Sequence, residues 1–238
     1  MSRNNETEDM TSTAAALPIE ASPIEATELL GAYPDSEAEA EIISEERISE
    51  EQRYRASAYG LLAALLRGSP DQVMLDQLCD LCETTDDGDE LMLAMSMLSL
   101  AAKVHSPEDV EEEFHQLFIG LGKGEVVPYG SWYLTGFLME KPLSDLREDL
   151  AKLGFERSED VVEPEDHVAA LCEVISIMIG DGTELSVQNH FFQTHMASWQ
   201  GRFFDDLGQA SSAVFYKSVA RFGAAFVALE KQYFSMQT

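Results

Sequence analysis

The sequence predicts an all-α protein: a single helical bundle preceded by a disordered acidic tail. Three observations carry this. Helix starts recur along the chain, at Ser49-Glu50-Glu51, Ser69-Pro70-Asp71, Ser106-Pro107-Glu108-Asp109 and Pro164-Glu165-Asp166. Apolar residues after these starts repeat every three to four positions. No two stretches alternate as the strands of a hairpin would, and there is no internal repeat.

Residues 1–46 are expected to be disordered. They are rich in Glu, Ser, Thr and Ala, hold Tyr33 as their one aromatic, and carry prolines at 18, 23 and 34. Such a segment buries too little apolar surface to offset its chain entropy. The helical domain is assigned to residues 47–238. Ser49 is a good cap for a first helix with Tyr54, Ala58, Leu61, Leu62, Leu65 and Leu66 at helical spacing, ended by Gly68 and Pro70. A second helix follows Ser69-Pro70-Asp71, with Met74, Leu75, Leu78, Leu81 and Cys82 on its apolar face. Asp86 to Asp89 is a turn. Leu91 to Val104 is apolar on nearly all sides, which predicts a buried helix. Ser106 and Pro107 start the next, with Val110, Phe114, Leu117 and Phe118 as its buried stripe. Leu143 to Leu153 is a short helix closed by Gly154. Residues 155–163 read as a polar linker. Three helices complete the chain: Pro164 to Ile179, Glu184 to Leu207 and Ser212 to Tyr233.

The formal net charge is −29. Binding of nucleic acid needs a basic stripe, so nucleic acid is excluded as a partner, and an anionic membrane surface is disfavoured. A basic ligand would be attracted. No run of eighteen apolar residues exists, so no membrane span is expected. The start of the chain lacks the basic-then-apolar pattern of a secretory signal. Three cysteines, Cys79, Cys82 and Cys172, make no disulfide framework. The simplest location is the cytoplasm.

Several patterns suggest chemistry and are better explained by structure. Cys79 and Cys82 have the spacing of half a zinc site, but no second pair of ligands follows. His190 and His195 are five apart, a poor spacing for one metal on a helix. No metal is therefore expected. Gly120, Gly122 and Gly124 resemble a phosphate loop loosely, without its Gly-Lys-Ser/Thr ending or a preceding strand. Ser131, Asp166 and His167 invite a hydrolase reading. Ser131 lacks a nucleophile elbow, and adjacent Asp and His side chains on a helix point about 100° apart.

Two irregular pieces stand out. Gly120 to Tyr133 breaks the helical pattern with three glycines and Pro128, then gathers Tyr129, Trp132 and Tyr133 within five residues. Glu163-Pro164-Glu165-Asp166-His167 reads as a helix start some thirty residues later. Together they suggest a recognition groove held by helices.

At these pieces the chain resembles the TorD/DmsD/NarJ-type redox-enzyme maturation chaperones, most closely the TorD branch. The resemblance rests on Pro128-Tyr129-x-Ser131-x-Tyr133-Leu134, Leu143-x-x-Leu146-Arg147, Leu153-Gly154, and most specifically Glu163-Pro164-Glu165-Asp166-His167-Val168. Phe191-Phe192-x-x-His195-Met196-x-x-Trp199 and Phe215-Tyr216 extend it, and it covers about residues 49 to 236. The chain departs from the pattern at Gly130, Cys172 and Val174. The resemblance implies a non-enzymatic cytoplasmic chaperone. Its partners would be the twin-arginine signal peptide and the apo form of a molybdopterin-dependent oxidoreductase. It would hold that enzyme until cofactor insertion, before export.

The peptide-binding residues implied are Pro128, Tyr129, Ser131, Tyr133, Pro164, Asp166 and His167, and Trp132 and Glu165 beside them complete the expected site. Glu165 and Asp166 would meet the peptide's arginines, and Tyr129 and Tyr133 its apolar part. No bound cofactor is expected, although the resemblance admits weak guanine-nucleotide binding. The expected assembly is mostly monomer with a domain-swapped dimer exchanged through residues 155–163. Two other readings remain at this stage. One is a helical adaptor for another basic amphipathic segment. The other is an enzyme, a hydrolase at Ser131 and His167 or a nucleotide hydrolase at the glycine loop.

Overall fold

The computed structural model describes residues 49–81, 89–120, 124–158 and 161–236. The expected tail at 1–46, Cys82 and Gly122 lie outside these residues. Among the described residues the chain is all-α, with no strand. The helices are α1 Glu50–Arg67, α2 Gln72–Cys79, α3 Glu90–Val104, α4 Pro107–Phe114, α5 Gly130–Thr135, α6 Lys141–Lys152, α7 Val168–Gly180, α8 Leu185–His195, α9 Gln200–Gln209 and α10 Tyr216–Met236. A π-helical turn, His115–Ile119, prolongs α4. No described helix is long and apolar enough to cross a membrane.

The helix starts use local chemistry. Ser49 Oγ accepts the Gln52 N–H of α1 at 3.2 Å. Asp71 caps α2 by accepting the Met74 N–H at 2.8 Å. Ser106 and Asp109 form a reciprocal capping box with Pro107 in the first turn of α4. Gly154 ends the turn after α6 at φ 82°, a conformation that favours glycine.

The packing is interleaved. α1 lies along α7, α10 lies against both α9 and α3, and α2 packs on α3. Leu62, Leu65 and Leu66 of α1 are buried with Val168, Leu171 and Ile175 of α7. Trp199, Phe203, Phe204 and Phe226 fill the other side. Each such side chain contributes roughly 1.5–3 kcal/mol by leaving water. A buried polar cluster crosses this core. Arg55 of α1 donates to both oxygens of Glu230 on α10, each at 2.7 Å. Tyr59 donates to Glu230 Oε2 at 2.9 Å, and Arg55 also reaches Gln188 Oε1 of α8 at 2.9 Å. Burial opposes the charge on Arg55, but the Glu230 contacts outweigh it and raise its pKa.

Glu113, also buried, turns its carboxylate onto the start of α10. It accepts the backbone N–H groups of Val214 and Tyr216 at 2.8 Å and of Phe215 at 2.9 Å. Orphan donors at a helix start are thereby satisfied from α4, a hundred residues earlier in the chain.

Four expectations change. The final helix starts at Tyr216, not Ser212, because Val214 to Tyr216 are held by Glu113. The helix expected from Glu184 to Leu207 is two helices, broken at Met196–Trp199. There the Trp199 indole N–H donates to the His195 carbonyl at 2.7 Å, and Ala197 N bonds back to Phe192 O at 2.8 Å. α7 starts at Val168 rather than Pro164. Finally, α3 is not buried all round: Leu93, Met97, Leu100 and Val104 are exposed along one face.

Candidate functional site

The two irregular pieces meet. Tyr129 and His167 form an isolated antiparallel bridge. Gly130 N donates to Asp166 O at 2.9 Å, and Val168 N donates to Pro128 O at 2.8 Å. The rings of Tyr129 and His167 stand edge to face, 5.1 Å apart. The aromatic piece is therefore not a loop throughout. Gly130 to Thr135 forms a helical turn, α5, ended by Gly136 at φ 84°.

What starts α5 is Asp166. Its Oδ2 accepts the Ser131 N–H at 2.7 Å, and both residues are buried, at 3% and 0% exposure. Tyr129 itself supplies no side-chain cap. Among the described residues Asp166 Oδ1 and Ser131 Oγ find no partner. A Cβ at Gly130 would stand 3.2 Å from the Trp199 indole, so the glycine lets that ring pack close against the turn. Gly124 has a similar reason: its Cβ would meet Leu117 O at 2.4 Å. Close approach, rather than a phosphate, explains that glycine.

His167 is the cap of α7. Its Nδ1 accepts the Ala169 N–H at 3.1 Å, which requires that nitrogen to be unprotonated. Desolvation first, then the Arg67 charge, pushes the His167 pKa down to about 4. Glu165 is taken up by Arg147, whose Nε donates at 2.9 Å, with Arg157 3.8 Å away. Burial raises the Glu165 pKa, but the Arg147 hydrogen bond and the nearby charges bring it below the usual carboxylate value. Pro164 precedes the turn that carries these two acids and offers its carbonyl to His167 N at 3.1 Å.

The expected roles change with this geometry. Asp166 is not open to a peptide guanidinium, because it faces inward and holds Ser131. Glu165 already has an arginine partner. Asp166 and His167 do not form a catalytic relay: one caps α5, the other caps α7, and Ser131 Oγ bonds to neither.

The accessible part of the site is aromatic. Tyr129 and Trp132 are half-buried, and Tyr129 donates its hydroxyl to Glu163. Tyr133 stacks on Trp199 with ring centres 5.6 Å apart and donates to Asp206 Oδ2 at 2.9 Å. Burial, then these carboxylate partners, raises the pKa of both tyrosines. Arg202 donates to the Tyr133 carbonyl at 2.7 Å and lies 5.8 Å from the centre of its ring. Leu134 of α5 and Phe137, Leu138 and Met139 just beyond it are exposed, and Met139 has a positive φ of 60°. A non-glycine residue there carries strain. Sequence reasoning missed Glu125, Arg202 and Asp206, because only tertiary packing brings them to Trp132 and Tyr133.

Among the described residues the acid and imidazole of the two pieces serve as helix caps, and the side chains presented beside them are aromatic and apolar. Comparison with known proteins gives the family. The chain belongs to the nitrate reductase delta subunit family, the TorD/NarJ family, whose pattern matches residues 83–205. It is similar to the chaperone protein TorD of Vibrio parahaemolyticus, 29% identical over 137 residues, covering 52% of this chain and 64% of that protein. It is also similar to TorD of Aliivibrio fischeri, 26% identical over 201 residues, covering 75% of this chain and 94% of that protein. A solved structure from Archaeoglobus fulgidus, provisionally described as a redox enzyme maturation protein, aligns with 76% of this chain and 95% of its own at 18% identity and a TM-score of 0.48.

Proposed function

We propose that the chain is a cytoplasmic chaperone for a molybdopterin-dependent oxidoreductase. It binds the twin-arginine signal peptide and the apo-protein and holds them until the cofactor is inserted. The observation that carries this reading is the bridge between Tyr129 and His167. It joins the two motif-bearing pieces and leaves the aromatic side chains of Tyr129, Trp132 and Tyr133 beside an exposed apolar stretch. An apolar peptide segment buried there gains about 25 cal/mol per Å². Within the site, Tyr129, Trp132 and Tyr133 contact the peptide, while Pro128, Ser131, Pro164, Glu165, Asp166 and His167 hold them in place. The family membership and the chaperone relatives support the same reading. The interleaved helices on either side of residues 155–163 would also allow a minor domain-swapped dimer.

The test is capture from native cytoplasm with the full chain as bait. The expected prey is a precursor that retains its leader and lacks its cofactor. Prey that lacks a leader, or that is already loaded with cofactor, overturns the proposal.

A further inference from the structure

A cavity of about 440 Å³ opens beside α5. Trp132 and Tyr133 line it from that helix, Glu125 from the segment before it, and Asp206, Gln209 and Ser211 from the end of α9 and just beyond. Among the described residues, two carboxylates and two aromatic rings contribute to its walls, and no basic residue does. Both acids are held in position. Glu125 Oε2 accepts Ser211 N at 2.7 Å and Ser212 N at 3.3 Å, and Oε1 accepts the Ser212 hydroxyl. Asp206 Oδ2 accepts the Tyr133 hydroxyl at 2.9 Å. A carboxylate has about four acceptor sites, so these bonds leave room for a further donor on each acid. The Ser212 hydrogen bonds hold Glu125 below the usual carboxylate pKa. The fold already places one guanidinium against this aromatic group: Arg202 lies over the Tyr133 ring.

The geometry points to this cavity as the subsite for an arginine side chain of the bound peptide, held between the Glu125 and Asp206 carboxylates and against the Trp132 ring. This rests on the peptide-binding reading above and moves the cation contact away from Glu165 and Asp166. A planar guanidinium suits it better than an ammonium, because it can stack on a ring and bond carboxylates with its edge. In sequence, the exposed Leu134, Phe137, Leu138 and Met139 follow the wall residues Trp132 and Tyr133, so a peptide that pairs arginine with an apolar segment finds a partner for each.

Binding is measured by calorimetry and by tryptophan emission on the full chain. The probes are a synthetic peptide with an Arg-Arg pair before a leucine-rich segment and the same peptide with neutral citrulline at both positions. Wild-type protein is expected to bind the arginine peptide on the order of tenfold more tightly or better, as expected for charge-assisted bonds. Glu125→Gln with Asp206→Asn should bring the two peptides to within about twofold of one another, the neutral substitutions having removed those bonds. Trp132→Phe, a milder change, should abolish the emission shift on binding, since the remaining Trp199 is buried. Helicity and urea midpoint check that each variant is folded. If the double variant unfolds, Asp206→Asn alone must still reduce the preference. A preference unchanged in folded variants, or none in the wild type, overturns the subsite and leaves the peptide-binding reading standing. A wild type that binds neither peptide overturns both.

Discussion

Asp166 and Ser131, thirty-five positions apart, are joined by a 2.7 Å hydrogen bond from a backbone N–H to a buried carboxylate oxygen. The helical turn that carries Trp132 and Tyr133 is thus capped by the piece of chain that begins α7. Asp166→Asn keeps an acceptor but loses the charge, and should cost about 1 kcal/mol. Asp166→Ala leaves the N–H unpaired and should cost about 2–3 kcal/mol. Urea denaturation measures both. Peptide affinity should fall in each variant with its salt dependence unchanged. A reduced salt dependence would mean that Asp166 meets the peptide charge directly.

Lowering the pH should weaken the α7 cap. The folded-state pKa of His167 is about 4, below the ordinary value of 6.5, so the unfolded chain binds the proton first. Its stabilising share is complete above about pH 6.5 and is lost as the pH falls towards 4, at up to about 1.4 kcal/mol per pH unit. His167→Asn retains an acceptor for the Ala169 N–H and does not titrate there. Its stability should fall less than that of the wild type between pH 6.5 and 4.5. Parallel slopes for the two proteins would refute the assignment.

The Arg55–Glu230 pair should be costly to break and cheap to replace. Glu230→Gln leaves Arg55 buried without its counter-charge and should cost about 3–5 kcal/mol. Arg55→Met combined with Glu230→Leu should cost less than the sum of the single changes. A double-mutant cycle in urea reads the difference; additive losses would show the two residues to be uncoupled.

Gly223→Ala tests packing against propensity. In an exposed helix the change would gain about 1 kcal/mol. In α10 the added Cβ would stand 2.1 Å from the Phe204 ring, so an aromatic side chain in the core must move. Overpacking costs roughly 1–3 kcal/mol, so the net effect should be a lower melting temperature. A gain in stability would mean that the ring shifts freely.

Local chemistry made much of the fold legible. Ser49, Ser106 with Pro107, and Gly154 mark helix ends where the sequence places them, because caps and left-handed turns depend on neighbouring residues. The breaks set by distant partners were not legible. Trp199 interrupts the α8–α9 run by turning back to His195 and packing by Gly130, and Glu113 fixes the start of α10 from α4. The Leu91–Val104 run misled because composition gives no partner for its Leu100 and Val104 face. At the site, the motif located both pieces. The separate duties of Asp166, His167 and Glu165 required knowing which backbone and which arginine each one faces.

The interleaving of α1 with α7 and of α3 with α10 also sets the order in which the protein can be completed during synthesis. Arg55 leaves the ribosome 175 residues before Glu230, its buried partner. Until α7 emerges the main face of α1 has no cover, and until α10 emerges Arg55 lacks its counter-charge and α3 lacks its second neighbour. The native core therefore closes only once α10 has left the ribosome.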